Sequence, residues 1–260
     1  MSLLQNSNAI PTAGGDFYSH QIVYSCRFNQ SATAHMYHTQ GTPTNADKCT
    51  ISAWVKRGKM GNADSMFTGS GIYGYDYSWF GFNTANEFYA FQDPNGPRLE
   101  SNALFRDPSA WYHIVIATDT TQGTAANRNK IYINGVQYTD WGDYETYSTQ
   151  NQDMMINSSG RKIFVGSGGA SEGNSWLPFD GYIAEYCFVD GTQYAATDFG
   201  QLKNGCWIPV EPNVTWGNNG CYLKFESSSD LGNDSSGNNN DFTVSNVSAH
   251  DQMLDSPTFN

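Results

Sequence analysis

The sequence predicts an all-β protein, an antiparallel β-sandwich of the jelly-roll type. Two observations lead to this fold class. Long stretches with apolar residues at three- and four-residue spacing are almost absent, so long helices are not expected. Short runs rich in β-branched and aromatic residues recur instead along the chain. Turns rich in Gly, Asn and Pro, such as "DPNGP" and "GSGGASEGNS", separate these runs, as is typical of sandwiches.

The segment "NKIYINGVQ" at 129–137 shows the strand pattern most clearly. Asn134-Gly135 suits a type I′ turn, because both residue types tolerate the positive φ that this turn requires. Ile131 and Ile133 are expected to face a core, and Tyr132 the opposite side of the sheet. A helical turn is expected around 196–203. Strands are predicted near 21–28, 34–38, 49–57, 64–68, 77–82, 87–91, 111–118, 129–134, 136–139, 161–166, 179–189, 220–226 and 241–244.

Composition excludes several functional classes. Lys and Arg total 13 and Asp and Glu total 25, so the formal net charge is −12, which argues against nucleic acid and anionic membranes as partners. The N-terminus lacks the basic and apolar stretches of a signal peptide, and no apolar run is long enough to span a bilayer. We therefore expect a soluble protein made in a cytoplasm, with no membrane insertion.

The five cysteines include no C-x-x-C pair, so neither a disulfide framework nor a zinc site is expected. Cys49 and Cys187 lie in strand-like runs and are predicted to be buried thiols. The chain shows no internal repeat and no convincing linker, so we predict one domain over 21–245. Residues 1–20 are predicted to form an N-terminal arm, and residues 246–260 a C-terminal tail.

Three segments occur in an order that a known family shares. The first is "CTISAWVKRGK" (49–59), and the second is "AWYHIVIATDTT…NRNKIYINGVQ" (110–137). The third, "IFVGSGG…FDGYIAEYCFVDG" (163–191), joins a glycine-terminated strand to a Gly-x-Ile-x-Glu strand. Together they resemble the laminin-G-like domains of the concanavalin A-like jelly-roll superfamily, over roughly residues 22–245.

A second resemblance concerns the biological setting. The segment "LKFESSSDLGNDSSGNNNDFTV" (223–244) resembles an element of the same superfamily, although here it follows the other strands. With "SCRFNQSATAHMY", "CWIPV" and the ending "DSPTFN", the order is similar to proteins of tailed bacteriophages that serve as tail fibres, head fibres or decorations. This resemblance implies a location on the virion and capsid or tail proteins as partners. It also implies a homo-oligomer, with the arm 1–20 attached to the particle.

No catalytic residues are predicted. Some relatives with this fold are glycanases that carry an E-x-D-x-x-E strand, and retaining chemistry needs two carboxylates about 5 Å apart. The corresponding strand here, "GYIAEYCF", offers Glu185 alone, and no G-x-S-x-G motif supports a catalytic serine. The sequence therefore predicts a protein that is not an enzyme.

Aromatic side chains are the candidate carbohydrate-binding residues. In "IYGYDYSW" (72–79) four rings alternate, so a strand would place them on one face, where Tyr and Trp can stack on sugars. Further rings lie in "DWGDYETYS" and "GNSWLPFDG". The alternative is packing in the core or between subunits, most clearly for Trp79, which begins an apolar run. The predicted carbohydrate-binding residues are Tyr73, Tyr75, Tyr77, Trp141, Tyr144 and Trp176.

The loop "NDSSGNNND" (233–241) is the candidate metal site. Calcium takes six to eight oxygen ligands, and Asp234, Asn238, Asn240 and Asp241 could supply several of them. The alternative is a turn that these residues stabilise by bonding their own backbone. The sequence indicates no required cofactor, and calcium is the one candidate.

The predicted function is that of a non-enzymatic virion protein whose lectin-like module binds host-surface carbohydrate. Loops on a rigid β scaffold would present the aromatic rings. One alternative is a purely structural capsid decoration or fibre protein without a glycan ligand. A glycan hydrolase is the other alternative, and the missing carboxylate pair disfavours it.

Overall fold

The computed structural model describes residues 17–61, 64–71, 76–171 and 174–258, and strands make up nearly all of its regular structure. Five single-turn 3₁₀ helices, Gln30–Ala32, Ala125–Asn127, Met155–Asn157, Ala196–Asp198 and Ala249–Asp251, lie between strands. The strands are β1 (Ser25–Phe28), β2 (His35–Thr39), β3 (Lys48–Arg57), β4 (Ser65–Gly71), β5 (Tyr77–Phe82), β6 (Glu87–Asp93), β7 (Arg98–Leu104), β8 (Trp111–Asp119), β9 (Asn129–Ile133), β10 (Val136–Tyr138), β11 (Trp141–Thr146), β12 (Lys162–Val165), β13 (Gly169–Ser171), β14 (Asn174–Trp176), β15 (Gly181–Asp190), β16 (Gly200–Lys203), β17 (Cys206–Pro209), β18 (Cys221–Leu223), β19 (Thr243–Ser245) and β20 (Gln252–Met253).

Two eight-stranded antiparallel sheets form the sandwich, which confirms the predicted fold class. Sheet A has the order β10-β9-β8-β3-β15-β1-β20, with β18 also paired to β15. Sheet B has the order β11-β7-β6-β5-β4-β12-β2-β19. The strands β13 and β14 form one separate hairpin, and β16 and β17 form another. No helix in the described part of the chain is long and apolar enough to cross a bilayer.

The main core lies between the two sheets and is built from alternate strand residues. Ile114 and Ile116 enter it from β8, and Phe80 and Phe82 from β5. Each of these side chains is at most 2% exposed, and burying one stabilises the fold by about 1.5–3 kcal/mol. Side chains at the intervening positions of each strand point to the outer face of their sheet.

The predicted hairpin is confirmed. Val136 pairs with Ile133 across the turn, and Asn134 and Gly135 have φ values of 48° and 81°. Ile131 is 1% exposed in the main core, whereas Tyr132 packs on the outer face of sheet A. The predicted burial of Cys49 and Cys187 is also confirmed, and all five cysteines are free thiols.

Much of the outer face of sheet A is covered by the chain itself. Phe199 and Ala196 pack over Val115, Cys187 and Tyr222, which lie on strands of this sheet, in a second apolar cluster. Ile22 packs with Trp54 and Ala184 in a third. The outer face of sheet B over β5, β6, β7 and β11 carries half-buried and exposed side chains.

The helical turn expected around 196–203 is only partly present. Residues Ala196–Asp198 are helical, but Gly200–Lys203 is a strand paired with Cys206–Pro209. Asn204 and Gly205, with φ values of 51° and 82°, make the turn between them, as Asn-Gly does at 134–135. The same dipeptide therefore dictates a second hairpin where a helical turn was expected.

Residues predicted as a C-terminal tail are packed against the sandwich. Gln252–Met253 adds to sheet A beside β1. Ser256 is fully buried, and its hydroxyl donates a hydrogen bond to the carbonyl of Ile22. The chain around residues 17–24 and the chain around 252–258 therefore lie side by side.

Candidate functional site

The outer face of sheet B carries a row of aromatic rings that neighbouring strands contribute. On β5 and β6 the neighbours of these rings in sequence, such as Phe80, Phe88 and Ala90, point into the core, so strand alternation places the rings outward. We name this set the aromatic surface, and it consists of Tyr77 and Trp79 on β5, Tyr89 and Phe91 on β6, Arg98 on β7 and Tyr144 on β11.

The rings of the aromatic surface stack on one another across the strands. Tyr77 and Trp79 lie with ring centroids 4.1 Å apart and planes 22° apart. Trp79 pairs with Phe91 in the sheet register, and Tyr77 and Phe91 lie 5.5 Å apart. Tyr89 and Phe91 are stacked at 5.7 Å. Trp79 is only 8% exposed, so it forms the floor beneath half-buried neighbours.

Arg98 joins Tyr144 to this row. Its guanidinium carbon lies 3.3 Å from the centroid of the Tyr144 ring and 5.9 Å from that of Phe91. A cation over a ring face is attracted by the ring quadrupole, by about 0.5–1 kcal/mol at exposed sites. Tyr144 is 39% exposed, and the arginine holds its ring against the sheet.

The structure brings together two of the six residues predicted to bind carbohydrate. Tyr77 and Tyr144 both lie on the aromatic surface. Trp141 instead faces the core, where it is 9% exposed and packs edge-on against Tyr138, so we leave it out of the surface. Trp176 lies in β14, and its side chain is not described. The other two predicted residues, Tyr73 and Tyr75, lie outside the described residues.

Four members of the aromatic surface are not among the predicted binding residues: Trp79, which the sequence analysis assigns to packing, and Tyr89, Phe91 and Arg98, which it does not consider. Tyr89 and Phe91 alternate with Phe88 in "EFYAFQD", a pattern that predicts one ring set inward and the other outward. Arg98 begins a strand that was not predicted. Burial of the Tyr89 hydroxyl raises its pKa to about 12.

In the loop 233–241, the predicted calcium ligands bond to the protein itself. The Asp234 carboxylate accepts four hydrogen bonds, from the backbone N–H groups of Tyr222, Ser236 and Asn240 and from the hydroxyl of Ser236. The Asp241 carboxylate accepts the backbone N–H of Asp234.

The amides of this loop point their donors inward. The Asn238 and Asn240 Nδ2 groups both donate to the carbonyl of Gly220, at 2.9 Å. Residues 17–61, 64–71, 76–171 and 174–258 contain no group of three or more His, Cys, Asp or Glu side chains that could hold a metal. In this arrangement both Asp234 oxygens accept hydrogen bonds from the protein, as in the alternative of a turn stabilised by its own backbone.

Glu185 lies at a β-bulge on the outer face of sheet A. The register of β15 against β3 shifts between Ala184 and Cys187, and Glu185 adopts a φ of 47°. Its Oε1 lies 2.5 Å from the Tyr222 hydroxyl and 2.5 Å from Nε2 of His20.

The second ring nitrogen of His20 lies 2.8 Å from Glu211. The two carboxylates of Glu185 and Glu211 are therefore bridged by an imidazole. Glu185 is 6% exposed, so it does not face an open cleft with a second free carboxylate, as glycoside hydrolysis requires.

The Ser52–His113 contact also lacks the geometry of a nucleophile and its base. The Ser52 hydroxyl lies 2.9 Å from Nε2 of His113, and both residues are buried. The Trp207 indole N–H, which can only donate, bonds to Nδ1 of the same ring. Nε2 therefore carries the proton in the neutral ring and donates to Ser52, whereas a general base would have to accept there.

Comparisons with known proteins give the relationships of the fold. A sequence profile of laminin-G type, described as the concanavalin A-like lectin/glucanases superfamily, matches residues 30–196. A Bacteroides ovatus protein provisionally assigned to carbohydrate binding superposes with a TM-score of 0.55 at 16% identity, covering 86% of this chain and 58% of its own. A search of curated protein sequences found no match.

Two further solved structures are more distant. A native heptameric SAP-like pentraxin from Limulus polyphemus gives a TM-score of 0.47 at 13% identity, with 70% of this chain and 80% of that chain covered. The CBM40 module of the Ruminococcus gnavus IT-sialidase, bound to α2,3-sialyllactose, gives a TM-score of 0.42 at 14% identity, with 63% and 89% covered.

The matched region contains the body of the sandwich. Residues 30–196 run from before β2 to beyond the end of β15, and they include every strand of the aromatic surface. The profile covers more than half of the 260 residues, whereas the structural likenesses, all at low identity, show the fold alone. The chain belongs to the concanavalin A-like lectin/glucanases superfamily.

Proposed function

We propose that the protein is a non-enzymatic, lectin-like module that binds carbohydrate on its aromatic surface. One observation carries the proposal: a contiguous set of stacked, partly exposed rings lies on the outer face of sheet B. Such a face offers flat apolar area for the C–H faces of sugar rings. The hydroxyls of Tyr77, Tyr89 and Tyr144 lie on the same face and can bond sugar hydroxyls.

The rigidity of the surface favours binding. Rings fixed by stacking lose little conformational freedom when a ligand binds, so less of the contact energy is lost to ordering. A site built on sheet strands is also more precisely positioned than one built on loops. Single-site affinity would still be weak, and display on a homo-oligomer would raise it through avidity.

Membership of the superfamily is compatible with either binding or catalysis. The related Bacteroides ovatus protein has been assigned to binding, although this chain spans only 58% of its length. The contacts of Glu185 and His113 support the non-enzymatic assignment. Glu185 is bonded to His20 and is not part of a free carboxylate pair. His113 accepts from Trp207 through Nδ1, so it is not a free base beside Ser52.

The setting we propose is the particle of a tailed bacteriophage, with capsid or tail proteins as partners. The sequence resemblance over 223–244 and the ending "DSPTFN" supports it. Mass spectrometry of purified particles from the source phage should detect the chain. A deletion made to test attachment by the arm should end at residue 16, because His20 contacts Glu185 and Glu211.

Glycan-array screening, followed by calorimetry on the best glycan, tests the binding proposal. Tyr77→Ala and Phe91→Ala should each weaken glycan binding by about two- to tenfold, since a ring contact contributes about 0.5–1.5 kcal/mol beyond its buried area. Tyr182→Ala is a matched control, because Arg27 lies over that ring 5.3 Å from its centroid, on sheet A.

The control variant should bind as the parent does. If the folded protein binds no glycan, the proposal fails. If other virion proteins then bury the aromatic surface in the particle, the alternative of a purely structural decoration protein would be favoured. Release of reducing sugar from a bound glycan would overturn the non-enzymatic assignment.

A further inference from the structure

The Arg98 guanidinium makes no hydrogen bond and no ion pair to the described residues, and its attraction to the Glu100 carboxylate acts at longer range. Its Nε–H is buried without a hydrogen-bond acceptor, and its two terminal nitrogens, which are not among the buried unpaired atoms, have no protein acceptor. Its contacts are to the rings of Tyr144 and Phe91. Leaving charged donors partly buried and unpaired costs free energy, so this group calls for an explanation.

The other arginines differ from Arg98 in their terminal nitrogens, although the Nε–H of Arg57 is also buried without an acceptor. Arg106 is exposed in the loop after β7, where water can satisfy its donors. The remaining four donate to carbonyls or carboxylates, and these are Arg27, Arg57, Arg128 and Arg161. Arg98 alone among the described arginines is half-buried without an acceptor.

The orientation of Arg98 defines what could pair with it. The Tyr144 ring lies over one face of the guanidinium, so an acceptor would have to approach its edge, where the N–H groups point. A carboxylate fits the edge of a guanidinium with two parallel hydrogen bonds. The adjacent rings would hold the sugar that carries the carboxylate.

The charges around Arg98 limit the ligand further. It is the only basic residue on β5, β6, β7 and β11, whereas these strands hold five acidic residues: Glu87, Asp93, Glu100, Asp143 and Glu145. A densely sulfated polymer would be repelled by these acidic residues and by a net charge of −12. A sugar with a single carboxylate can place that group on Arg98 alone.

We infer that the aromatic surface selects a sugar that bears a carboxylate, with Arg98 as the residue that binds it. This inference rests on the proposed carbohydrate-binding function. The chemistry is shared by uronic acids and by nonulosonic acids such as sialic acid. The aromatic rings supply stacking, and the arginine discriminates acidic sugars from neutral ones.

Two pairs of probes test the inference by calorimetry. Trigalacturonic acid is compared with its methyl ester, and the methyl glycoside of N-acetylneuraminic acid with its methyl ester. In each pair only the charge and its acceptor geometry change. At least one acid should bind about tenfold or more tightly than its ester, since a hydrogen bond to a charged group contributes about 1.5–3 kcal/mol. The pair in which the acid binds more tightly than its ester shows whether the surface selects a uronic acid or a nonulosonic acid.

Arginine variants complete the test. Arg98→Gln should remove the preference for the acid, and Arg98→Lys should restore only part of it, because a lysine lacks the bidentate fork. Arg106→Gln serves as the exposed control and should keep the parent preference. Thermal melting of each variant verifies that it folds.

The outcomes separate this inference from the proposed function. Binding of neutral glycans to the aromatic surface with no acid preference would overturn the role of Arg98 and leave carbohydrate binding intact. An acid preference that survives in Arg98→Gln would also overturn it. If no probe and no arrayed glycan binds, both the inference and the proposed function fail.

Discussion

The indole N–H of Trp207 donates a 2.9 Å hydrogen bond to Nδ1 of His113, which joins the β16–β17 hairpin to the middle of sheet A. The Trp207 ring also packs on the turn of the β9–β10 hairpin. A Cβ built on Gly135 would lie 2.3 Å from this ring, so the turn needs glycine for close approach as well as for its positive φ. One tryptophan thus fixes a histidine tautomer and two hairpins.

We expect His113 to make the protein sensitive to mild acid. Complete burial lowers its pKa from 6.5 to about 3, so the folded protein keeps the ring neutral. Below pH 6.5 the unfolded chain binds a proton that the folded chain does not, and stability falls as the pH drops towards 3. At pH 5 this amounts to about 2 kcal/mol.

Urea denaturation at pH 7 and pH 5 measures this effect. The parent should lose about 2 kcal/mol more between the two pH values than His113→Gln does. Equal losses in the two proteins would contradict the assignment of a neutral buried ring.

His20 should have the opposite effect on the pH dependence of stability, and stabilise the folded protein at mildly acidic pH. Burial lowers its pKa, but the hydrogen bond to Glu185 and the charges of Glu185 and Glu211 outweigh this, and Lys224 opposes them weakly, so the net shift is upward. A raised folded-state pKa stabilises the protein fully below the unfolded value of 6.5. The contribution is lost as the pH rises through the folded pKa.

Urea denaturation at pH 6 and at pH 9 measures this effect. The parent should lose more stability between the two pH values than His20→Gln does, because only the parent loses the proton shared with Glu185 and Glu211. Equal losses in the two proteins would show that another group controls this pH dependence.

The sequence predicted the strands better than the side-chain partners. Asn134-Gly135 is a local signal, because the turn depends on the φ values of two adjacent residues, and the hairpin followed correctly. His20 and Glu185 are 165 positions apart, and only the folded topology brings them together. No periodicity in a single sequence reports such a pair.

The aromatic surface shows the same limit at closer range. Trp141 and Tyr144 are three residues apart, so a strand must place them on opposite faces. Both are predicted carbohydrate-binding residues, because the strand Trp141–Thr146, with its bulge and its polar residues, is not predicted from the sequence. In the folded strand Trp141 is 9% exposed in the core, whereas Tyr144 is 39% exposed on the surface.

We therefore expect these two rings to give opposite results. Trp141→Ala should lower the free energy of unfolding by about 3–5 kcal/mol, as for other buried tryptophans. Tyr144→Ala should cost about 1 kcal/mol or less, mainly through loss of the contact with Arg98. Denaturant unfolding measures both values, and calorimetry with the array-selected glycan should show weaker binding for Tyr144→Ala. A large stability loss in Tyr144→Ala with unchanged binding would contradict the proposed surface.

The loop 233–241 should stabilise the fold through Asp234 without calcium. Asp234→Asn keeps the size of the side chain but removes its charge and turns one acceptor into a donor among N–H groups. We expect a loss of about 2–4 kcal/mol, since hydrogen bonds to a charged group are stronger than neutral ones. Asp241→Asn is the matched control, because this exposed carboxylate accepts one backbone bond and should cost less.

Thermal melting with millimolar calcium and then with EDTA tests the metal directly. A site occupied in calcium would raise Tm by mass action, because the ion would bind only the folded state. We expect the same Tm in both conditions, since the four bonds to Asp234 would have to break before its oxygens could reach an ion. A calcium-dependent rise in Tm that Asp234→Asn abolishes would show that the loop rearranges to bind calcium. Calcium would then be a cofactor of this domain, and the turn bonds would describe only its metal-free form.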